Sequence, residues 1–182
     1  MKEIEKKIFD IRPRALSSKL LKLRAKLVFK GLVKVKYFDT KKGEIRKKHE
    51  LLRVRQVGDK KVEICFKCNK RVKEGCKIYD ECEFYTSDFE EVSKFFEKLG
   101  YISTCYYEKK RTEFVLKDVK IVIDEYPKIK PFMEIEADSV KKINDLIEKL
   151  GLEKNESSSE TINEVIKRKY TKLSLNNLTF KK

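Results

Sequence analysis

The chain has 182 residues, of which 41% are charged and 40% are hydrophobic, and its formal net charge is +15. This length predicts one domain with a real core, and the excess of lysine and arginine predicts an anionic partner. No apolar run is long enough to span a membrane and no signal-peptide pattern opens the sequence, which excludes a membrane protein and favours the cytoplasm.

The five cysteines are irregularly spaced. An odd number without a repeating spacing argues against a disulfide framework and favours a reducing compartment. Cys65 and Cys68 form a CxxC pair, but no second pair follows it, and the only histidine, His49, lies well upstream. The ligand set for structural zinc is therefore incomplete. We expect small buried thiols instead.

The first half of the chain is predicted to be rich in strands. A helix opens at Pro13, a position that suits a residue without an N–H group. Alternation and apolar runs predict strands over 1–7, 32–39, 51–57, 61–67 and 77–84. Between them lie a turn at 41–44, a polar connection at 46–50 and a basic loop at 69–75.

The second half alternates helices and strands. A capping box at residues 87–90 opens a helix that ends at Gly100, and another helix ends at Gly151. Strands are predicted over 101–108, 109–116, 119–125 and 132–137. A polar linker at 155–159 and a capping box at Thr161 and Glu164 precede a last helix. We expect a single domain over 1–170 and a basic tail over 171–182, either a final strand or frayed.

Most predicted strands carry charged residues two or four positions apart, which places them on one face of the strand. An open α+β sheet with a solvated face would explain this pattern. A closed antiparallel barrel with a charged interior would also explain it. The residues concerned are Glu3, Glu5 and Lys7; Arg53 and Arg55; Glu63 and Lys67; Glu81 and Glu83; Lys109 and Arg111; Glu134 and Glu136.

A charged interior needs ligands of opposite charge, because unpaired buried charges are very costly. Arginines and lysines would require an oligoanion, and clustered carboxylates would require a divalent cation. Oxygen ligands without histidine or cysteine select hard ions, Mg²⁺ or Mn²⁺. Phosphate oxygens together with such a metal would satisfy both sets of charges.

The segment Glu3-x-Glu5-x-Lys7 resembles the ExExK signature of the CYTH superfamily, also called triphosphate tunnel metalloenzymes. This superfamily contains class IV adenylyl cyclases, thiamine triphosphatases and inorganic tripolyphosphatases. The similarity extends over residues 1–152 and is nearest to the class IV cyclase branch. It implies an α+β fold, an eight-stranded antiparallel β-tunnel with helices outside. Its further motifs lie, in order, at 37–40, 52–55, the strand ending at Lys67, 81–84, 109–111, 123–125 and 132–136.

The resemblance also implies roles for individual residues. The phosphates would be held by Lys7, Arg53, Arg55, Lys67, Lys109 and Arg111. One metal would be held by Asp124, Glu134 and Glu136. A second metal, or the attacking water, would be positioned by Glu3 and Glu5, which with Lys7 form the catalytic set. The remaining acidic residues, Glu81 and Glu83, would complete the acidic set or orient the basic residues. A basic residue near Arg168 or Lys169 would close the tunnel.

Two departures from the family pattern concern substrate fit: Tyr79 stands where the family often has arginine, and residues 128–131 lack the usual glycines. We expect Mg²⁺- or Mn²⁺-dependent hydrolysis of tripolyphosphate or of a nucleoside or organic triphosphate. Conversion of ATP to cyclic AMP and pyrophosphate is one alternative. A non-catalytic binder of polyphosphate or RNA is another, although no RNA-binding motif with paired aromatic residues is visible and nucleic acid is therefore disfavoured. The sequence leaves monomer or homodimer open.

Overall fold

The computed structural model describes residues 2–59 and 61–180, and for Lys2 and Glu3 it describes the backbone alone. The strands are β1 (Lys2–Ile8), β2 (Lys26–Asp39), β3 (Leu51–Val57), β4 (Lys61–Lys73), β5 (Cys76–Thr86), β6 (Ile102–Leu116), β7 (Val119–Glu125), β8 (Phe132–Ala137) and β9 (Ser157–Ser158). The helices are α1 (Pro13–Lys22), α2 (Glu44–Lys47), α3 (Phe89–Lys98), α4 (Val140–Lys149) and α5 (Ile162–Lys169).

The first eight strands form a closed antiparallel barrel in the order β5-β4-β3-β2-β6-β7-β8-β1. The barrel closes because β1 pairs with β8 on one side and with β5 on the other. Closure leaves no long strand edge open. The short β9 pairs with the end of β1. The predicted tunnel fold is thus confirmed, and the open sheet is excluded.

Several predicted element boundaries were wrong. The strands predicted over 101–108 and 109–116 are one continuous strand, β6, because β2 pairs with it through the charged residues at its middle. Most of the predicted basic loop at 69–75 belongs to β4, which contains an irregularity between Cys68 and Arg71 and turns only at residues 74–75. Strand β2 begins at Lys26 rather than at residue 32.

The helix caps agree with the sequence in one case of two. Thr161 and Glu164 form the predicted capping box of α5. Helix α3 is capped by Asp88, whose carboxylate accepts hydrogen bonds from the backbone N–H groups of Glu90 and Glu91, so the box predicted to start at Ser87 is wrong. The polar connection contains α2, and the linker contains β9.

The described part of the C-terminal tail packs against β6. Leu175 and Leu178 are buried, and the Leu178 carbonyl accepts a hydrogen bond of 2.9 Å from the N–H of Glu108. The tail makes one isolated bridge with Tyr107, rather than a final strand. The predicted division of the chain at residue 170 stays a prediction.

Apolar residues on the outer face of the strands pack beneath the helices. Leu20 of α1 and Ile143 of α4 are fully buried against strands that include β1, β7 and β8. Phe89 of α3 covers residues of β2, β3 and β4. This alternation leaves the charged residues inside the barrel. No helix in the described residues is long and apolar enough to cross a membrane.

Candidate active site

The barrel encloses a cavity of about 1420 Å³. The side chain of Glu3 lies outside the described residues, although its backbone pairs opposite Tyr79. Asp124 is fully buried in the wall. All the other residues predicted for the site line this cavity: Glu5, Lys7, Arg53, Arg55, Lys67, Glu81, Glu83, Lys109, Arg111, Glu134 and Glu136.

In the β3–β4 hairpin, one carboxylate holds two arginines. Nη2 of Arg53 donates to Oε1 of Glu63 at 2.8 Å, and Nη2 of Arg55 donates to the other oxygen. Burial alone would raise the pKa of Glu63, but Arg55 and Arg53 outweigh it and hold that pKa well below its usual range. Among the described residues, the buried side-chain nitrogen and oxygen atoms without a hydrogen-bond partner are Nε of Arg53 and Nε of Arg55.

In the β6–β7 hairpin, Asp124 holds Lys109 and Arg111. Its Oδ2 accepts from Nζ of Lys109 at 2.7 Å, and both of its oxygens accept from Arg111, at 2.8 Å and 2.7 Å. Burial and the neighbouring Arg111 lower the pKa of Lys109 to about 8, despite the opposing effect of Asp124. The carboxylate of Asp124 is therefore already engaged by three hydrogen bonds.

Strands β1 and β8 bring a lysine between two glutamates. Nζ of Lys7 lies 3.0 Å from Glu134 and 3.2 Å from Glu5. Burial would lower the pKa of Lys7, but Glu134 and Glu5 outweigh it and raise that pKa. Glu136 stands opposite Glu5 in the β1–β8 register and pairs with Lys120 at 2.7 Å.

Three buried or half-buried residues belong to this network although the sequence did not single them out as site residues: Glu63, Lys77 and Lys120. Lys77 is 5% exposed and forms an ion pair with Glu5. It shares a strand face with Tyr79 and Glu81, so extending the period-2 pattern of β5 by one step would have found it. Lys120 shares a face with Asp124 on β7 by the same rule.

Three of the five thiols are buried as expected, those of Cys65, Cys76 and Cys105, whereas Cys68 is half-buried and Cys82 is exposed. All five cysteines are free. Sγ of Cys65 donates to Oε1 of Glu81 at 2.8 Å, and Nζ of Lys67 lies 3.5 Å from the same oxygen. Burial raises the pKa of Cys65 to about 12, so this thiol stays protonated at neutral pH.

The two departures from the family pattern have local consequences. The ring of Tyr79 lies 5.6 Å from Nζ of Lys67 and 5.5 Å from Nζ of Lys77, so an aromatic face stands where an arginine would add charge. In the glycine-free segment 128–131, Lys128 adopts a positive φ of 61°.

One basic residue near Arg168 or Lys169 was predicted to close the tunnel, and neither of these two side chains lines the cavity. Arg168 pairs with Glu156 and Glu160, and Lys169 pairs with Glu156. These acidic neighbours are nearer than the cavity and hold both side chains outside it. Lys167 of the same helix lines the cavity instead.

The carboxylates of the site are chemically suited to bind a hard divalent cation. Glu5, Glu134 and Glu136 have lowered pKa values: burial opposes ionisation, but neighbouring lysines outweigh it, so all three are ionised at neutral pH. Carboxylate oxygens are the ligands that Mg²⁺ and Mn²⁺ prefer. Within the described residues these groups are not gathered into a cluster of three or more ligands, because each pairs with a lysine.

Comparison with known proteins agrees with this architecture. A family model for the CYTH domain matches residues 1–167. A conserved hypothetical protein from Pyrococcus furiosus superposes with a TM-score of 0.73 and 26% identity, covering 90% of this chain and 99% of that chain. No curated protein matches the sequence.

Two further solved structures share the fold. A "putative adenylate cyclase" from Vibrio parahaemolyticus has a TM-score of 0.75 and 14% identity, covering 91% of this chain and 97% of that one. A "putative adenylyl cyclase" from Hippeastrum, described as having a dominant triphosphatase activity, has a TM-score of 0.66 and 16% identity, covering 92% and 95%. At these identities the similarity shows the fold alone.

Proposed function

This chain belongs to the CYTH family, and from that premise we propose that it is a divalent-metal-dependent triphosphatase. CYTH proteins are triphosphatases or adenylyl cyclases that act on triphosphate substrates with divalent cations. For this chain, the substrate we propose is inorganic tripolyphosphate or a nucleoside or organic triphosphate, bound inside the barrel. The metal we propose is Mg²⁺ or Mn²⁺.

The observation that carries the proposal is the incomplete hydrogen bonding of two buried arginines. A guanidinium group has five N–H donors. Glu63 accepts one from Arg53 and one from Arg55, and Nε of each has no partner among the described residues. Buried donors without acceptors are costly, and phosphate oxygens are the acceptors that arginine binds best. A phosphate chain in the cavity would complete this pair.

Charge balance supports the dependence on metal. Basic and acidic side chains line the interior in nearly equal numbers. A triphosphate carries several negative charges, so it would leave this interior strongly negative by itself. A divalent cation on the acidic residues restores the balance and frees their lysine partners for phosphate oxygens.

We propose the following division of roles. Glu134 and Glu136 would hold the metal, which when bound would neutralise phosphate oxygens and lower the pKa of a water. Glu3 and Glu5 would hold a second metal or orient the attacking water. Asp124 is fully buried and already accepts three hydrogen bonds, so we assign it to positioning Lys109 and Arg111 rather than to the metal.

The cationic residues would then grip the chain. Arg53 and Arg55 offer free donors to phosphate oxygens, and Lys7 is placed to stabilise charge that develops during cleavage. Glu81 would orient Lys67, which lies 3.5 Å from it. Glu83, on the same face of β5 as Glu81, adds a second carboxylate to the lining of the cavity.

The test is a product assay with the purified protein, offering tripolyphosphate and ATP separately with Mg²⁺, with Mn²⁺ and with a chelator. Release of inorganic phosphate that the chelator abolishes is the expected result. Cyclic AMP with pyrophosphate would instead establish the cyclase, whose nucleoside the large cavity would admit. Triphosphate binding without any product would leave a binding protein and overturn the enzymatic proposal.

A further inference from the structure

The two ends of the barrel differ in charge. The connection between β2 and β3, residues 40–50, lies at the end where β6 begins, because Asp39 pairs with Ile102. The β6–β7 turn and the end of β8 lie at the opposite end, since antiparallel neighbours alternate direction. Residues from both ends line the same cavity. The cavity therefore has two mouths, which we call the β2–β3 mouth and the β6–β7 mouth.

The β2–β3 mouth carries three cations and a histidine whose side chains have no partners among the described residues. Lys41, Lys42, Arg46 and His49 are exposed and line the cavity. In the described part of the chain, none of these four side chains makes an ion pair or a hydrogen bond. Exposed cations that converge on an opening raise the local concentration of anions there.

The other mouth carries charges of both signs, and Lys61 and Lys120 line the cavity at this end beside its acidic residues. Asp118 and Asp138 line the β6–β7 mouth, and both form ion pairs with Lys142. Glu113 also faces the cavity at this end. An anionic chain that leaves the interior therefore meets mixed charges at this mouth and unpaired cations at the β2–β3 mouth, so we expect stronger attraction at the β2–β3 mouth.

Hydrogen bonds to a buried carboxylate hold the backbone of the β2–β3 mouth in place. The carboxylate of Asp39, itself 5% exposed, accepts backbone hydrogen bonds from Thr40 at 2.7 Å, Ile45 at 2.9 Å and Arg46 at 3.1 Å. Gly43 turns the chain with a positive φ of 69°. This anchoring fixes the backbone that carries these four side chains.

The mouth is also close to the arginines that are proposed to grip the triphosphate. Tyr37 stands opposite Arg53 in the β2–β3 register. The connection leaves β2 two residues later, which is about 7 Å along a strand. A phosphate chain bound at Arg53 can thus continue directly into the mouth.

We propose that the β2–β3 mouth is a second phosphate subsite, formed by Lys41, Lys42, Arg46 and His49. It binds the part of a linear inorganic polyphosphate that extends beyond three phosphates. This inference rests on the proposed binding of a triphosphate in the barrel and adds a preference for longer chains. Polyphosphate fits better than RNA because, among the described residues of this mouth, His49 offers the one exposed aromatic ring, whereas stacking successive bases takes several.

The test is calorimetric binding of tripolyphosphate and of a polyphosphate of about ten units to the whole protein with Mg²⁺, kept below turnover conditions by low temperature. The test variant is Lys41→Ala/Lys42→Ala. The matched control is Lys47→Ala/Lys48→Ala, two exposed lysines of the same connection that do not line the cavity. Both variants lose the same net charge, so a difference between them reports position and not overall charge.

We expect the wild type and the control to bind the longer chain more tightly than tripolyphosphate, by roughly fivefold to tenfold per protein site. The test variant should lose this preference while its affinity for tripolyphosphate stays unchanged. The preference should also shrink at high salt, since exposed charges are screened.

The outcomes separate the two proposals. Equal affinity for both chains in the wild type, or equal losses in both variants, overturns the mouth subsite and leaves the triphosphate site intact. If neither tripolyphosphate nor the longer polyphosphate binds with metal present, both proposals are overturned. Binding of a single-stranded RNA with a 5′-triphosphate is measured in the same way. If the Lys41→Ala/Lys42→Ala variant loses affinity for this RNA as it does for polyphosphate, the assignment of polyphosphate as the ligand is overturned.

Discussion

The β3–β4 hairpin and the β6–β7 hairpin use the same arrangement to different ends. In each, a carboxylate on one strand holds two cations that lie two residues apart on its neighbour. In β6–β7 the carboxylate of Asp124 is fully buried and accepts three hydrogen bonds. In β3–β4 the carboxylate of Glu63 takes one donor from each arginine and leaves their Nε atoms without partners.

The difference indicates how one barrel can carry both structure and ligand binding. A carboxylate that accepts several hydrogen bonds from its cations fixes their positions and leaves them fewer donors for a ligand. A carboxylate that accepts only one hydrogen bond from each cation keeps both cations in the cavity wall and leaves other N–H groups available to a ligand. We therefore expect mutations at Asp124 to affect stability first, and mutations at Arg53 to affect ligand binding first.

The largest effect on folding should come from Asp124→Asn. The change leaves Lys109 and Arg111 buried without their counter-charge, and breaking a buried ion pair in this way costs about 3–5 kcal/mol. For a chain of this size that corresponds to a fall in Tm of about 6–20 °C, measurable by thermal unfolding. A loss below about 1 kcal/mol would show that these cations do not depend on Asp124.

The sequence anticipated the barrel because the charges repeat with a period of two. Glu5 and Lys7, or Glu134 and Glu136, are readable as one face of a strand without knowing the fold. The partners in the ion pairs could not be predicted from the sequence. Which strands become neighbours, and in which register, is set by barrel closure and stagger, so only the structure shows Glu5 between Lys7 and Lys77.

The same limit explains the missed residues and boundaries. Glu63 was recognised as charged, but its position between two arginines depends on the β3–β4 register. A break was predicted between Glu108 and Lys109, yet β2 continues to pair through it. Local patterns gave the right periodicity there, and long-range pairing determined the length of the strand.

Glu134→Gln tests the acidic set beside the β6–β7 hairpin. Glu134 lies 3.0 Å from Lys7 and 3.5 Å from Arg111, and glutamine keeps the volume and one acceptor but loses the charge that a metal needs. We expect kcat to fall by about 10²–10³-fold. The fall in Tm should be smaller than for Asp124→Asn, because Lys7 keeps Glu5 and Arg111 keeps Asp124 as a partner. Glu148→Gln, the same change on the exposed face of α4, is the control. Full activity of the Glu134 variant would remove this residue from the metal site.

Arg53→Ala should separate binding from stability. It removes a cation whose remaining donors are proposed to bind phosphate, so triphosphate affinity should fall by about 10–100-fold, as expected for charge-assisted hydrogen bonds. Arg14→Ala, which removes an exposed arginine from α1, controls for net charge. Calorimetry gives the affinity and thermal unfolding gives the stability. A variant that unfolds as readily as Asp124→Asn yet binds normally would reverse the roles assigned to the two hairpins.

The smallest effect concerns the protonation of Lys109. Its pKa is lowered to about 8, so the ammonium is mostly present at pH 7 and is lost as the pH rises through 8. We expect triphosphate affinity to fall by about threefold between pH 7 and pH 9 for this reason. Lys109→Arg keeps its charge over this range and should flatten the profile, while protonation of the substrate affects both proteins equally. Parallel profiles for the two proteins would show that Lys109 contributes position rather than titrating charge, and the two hairpins would then differ in hydrogen bonding alone.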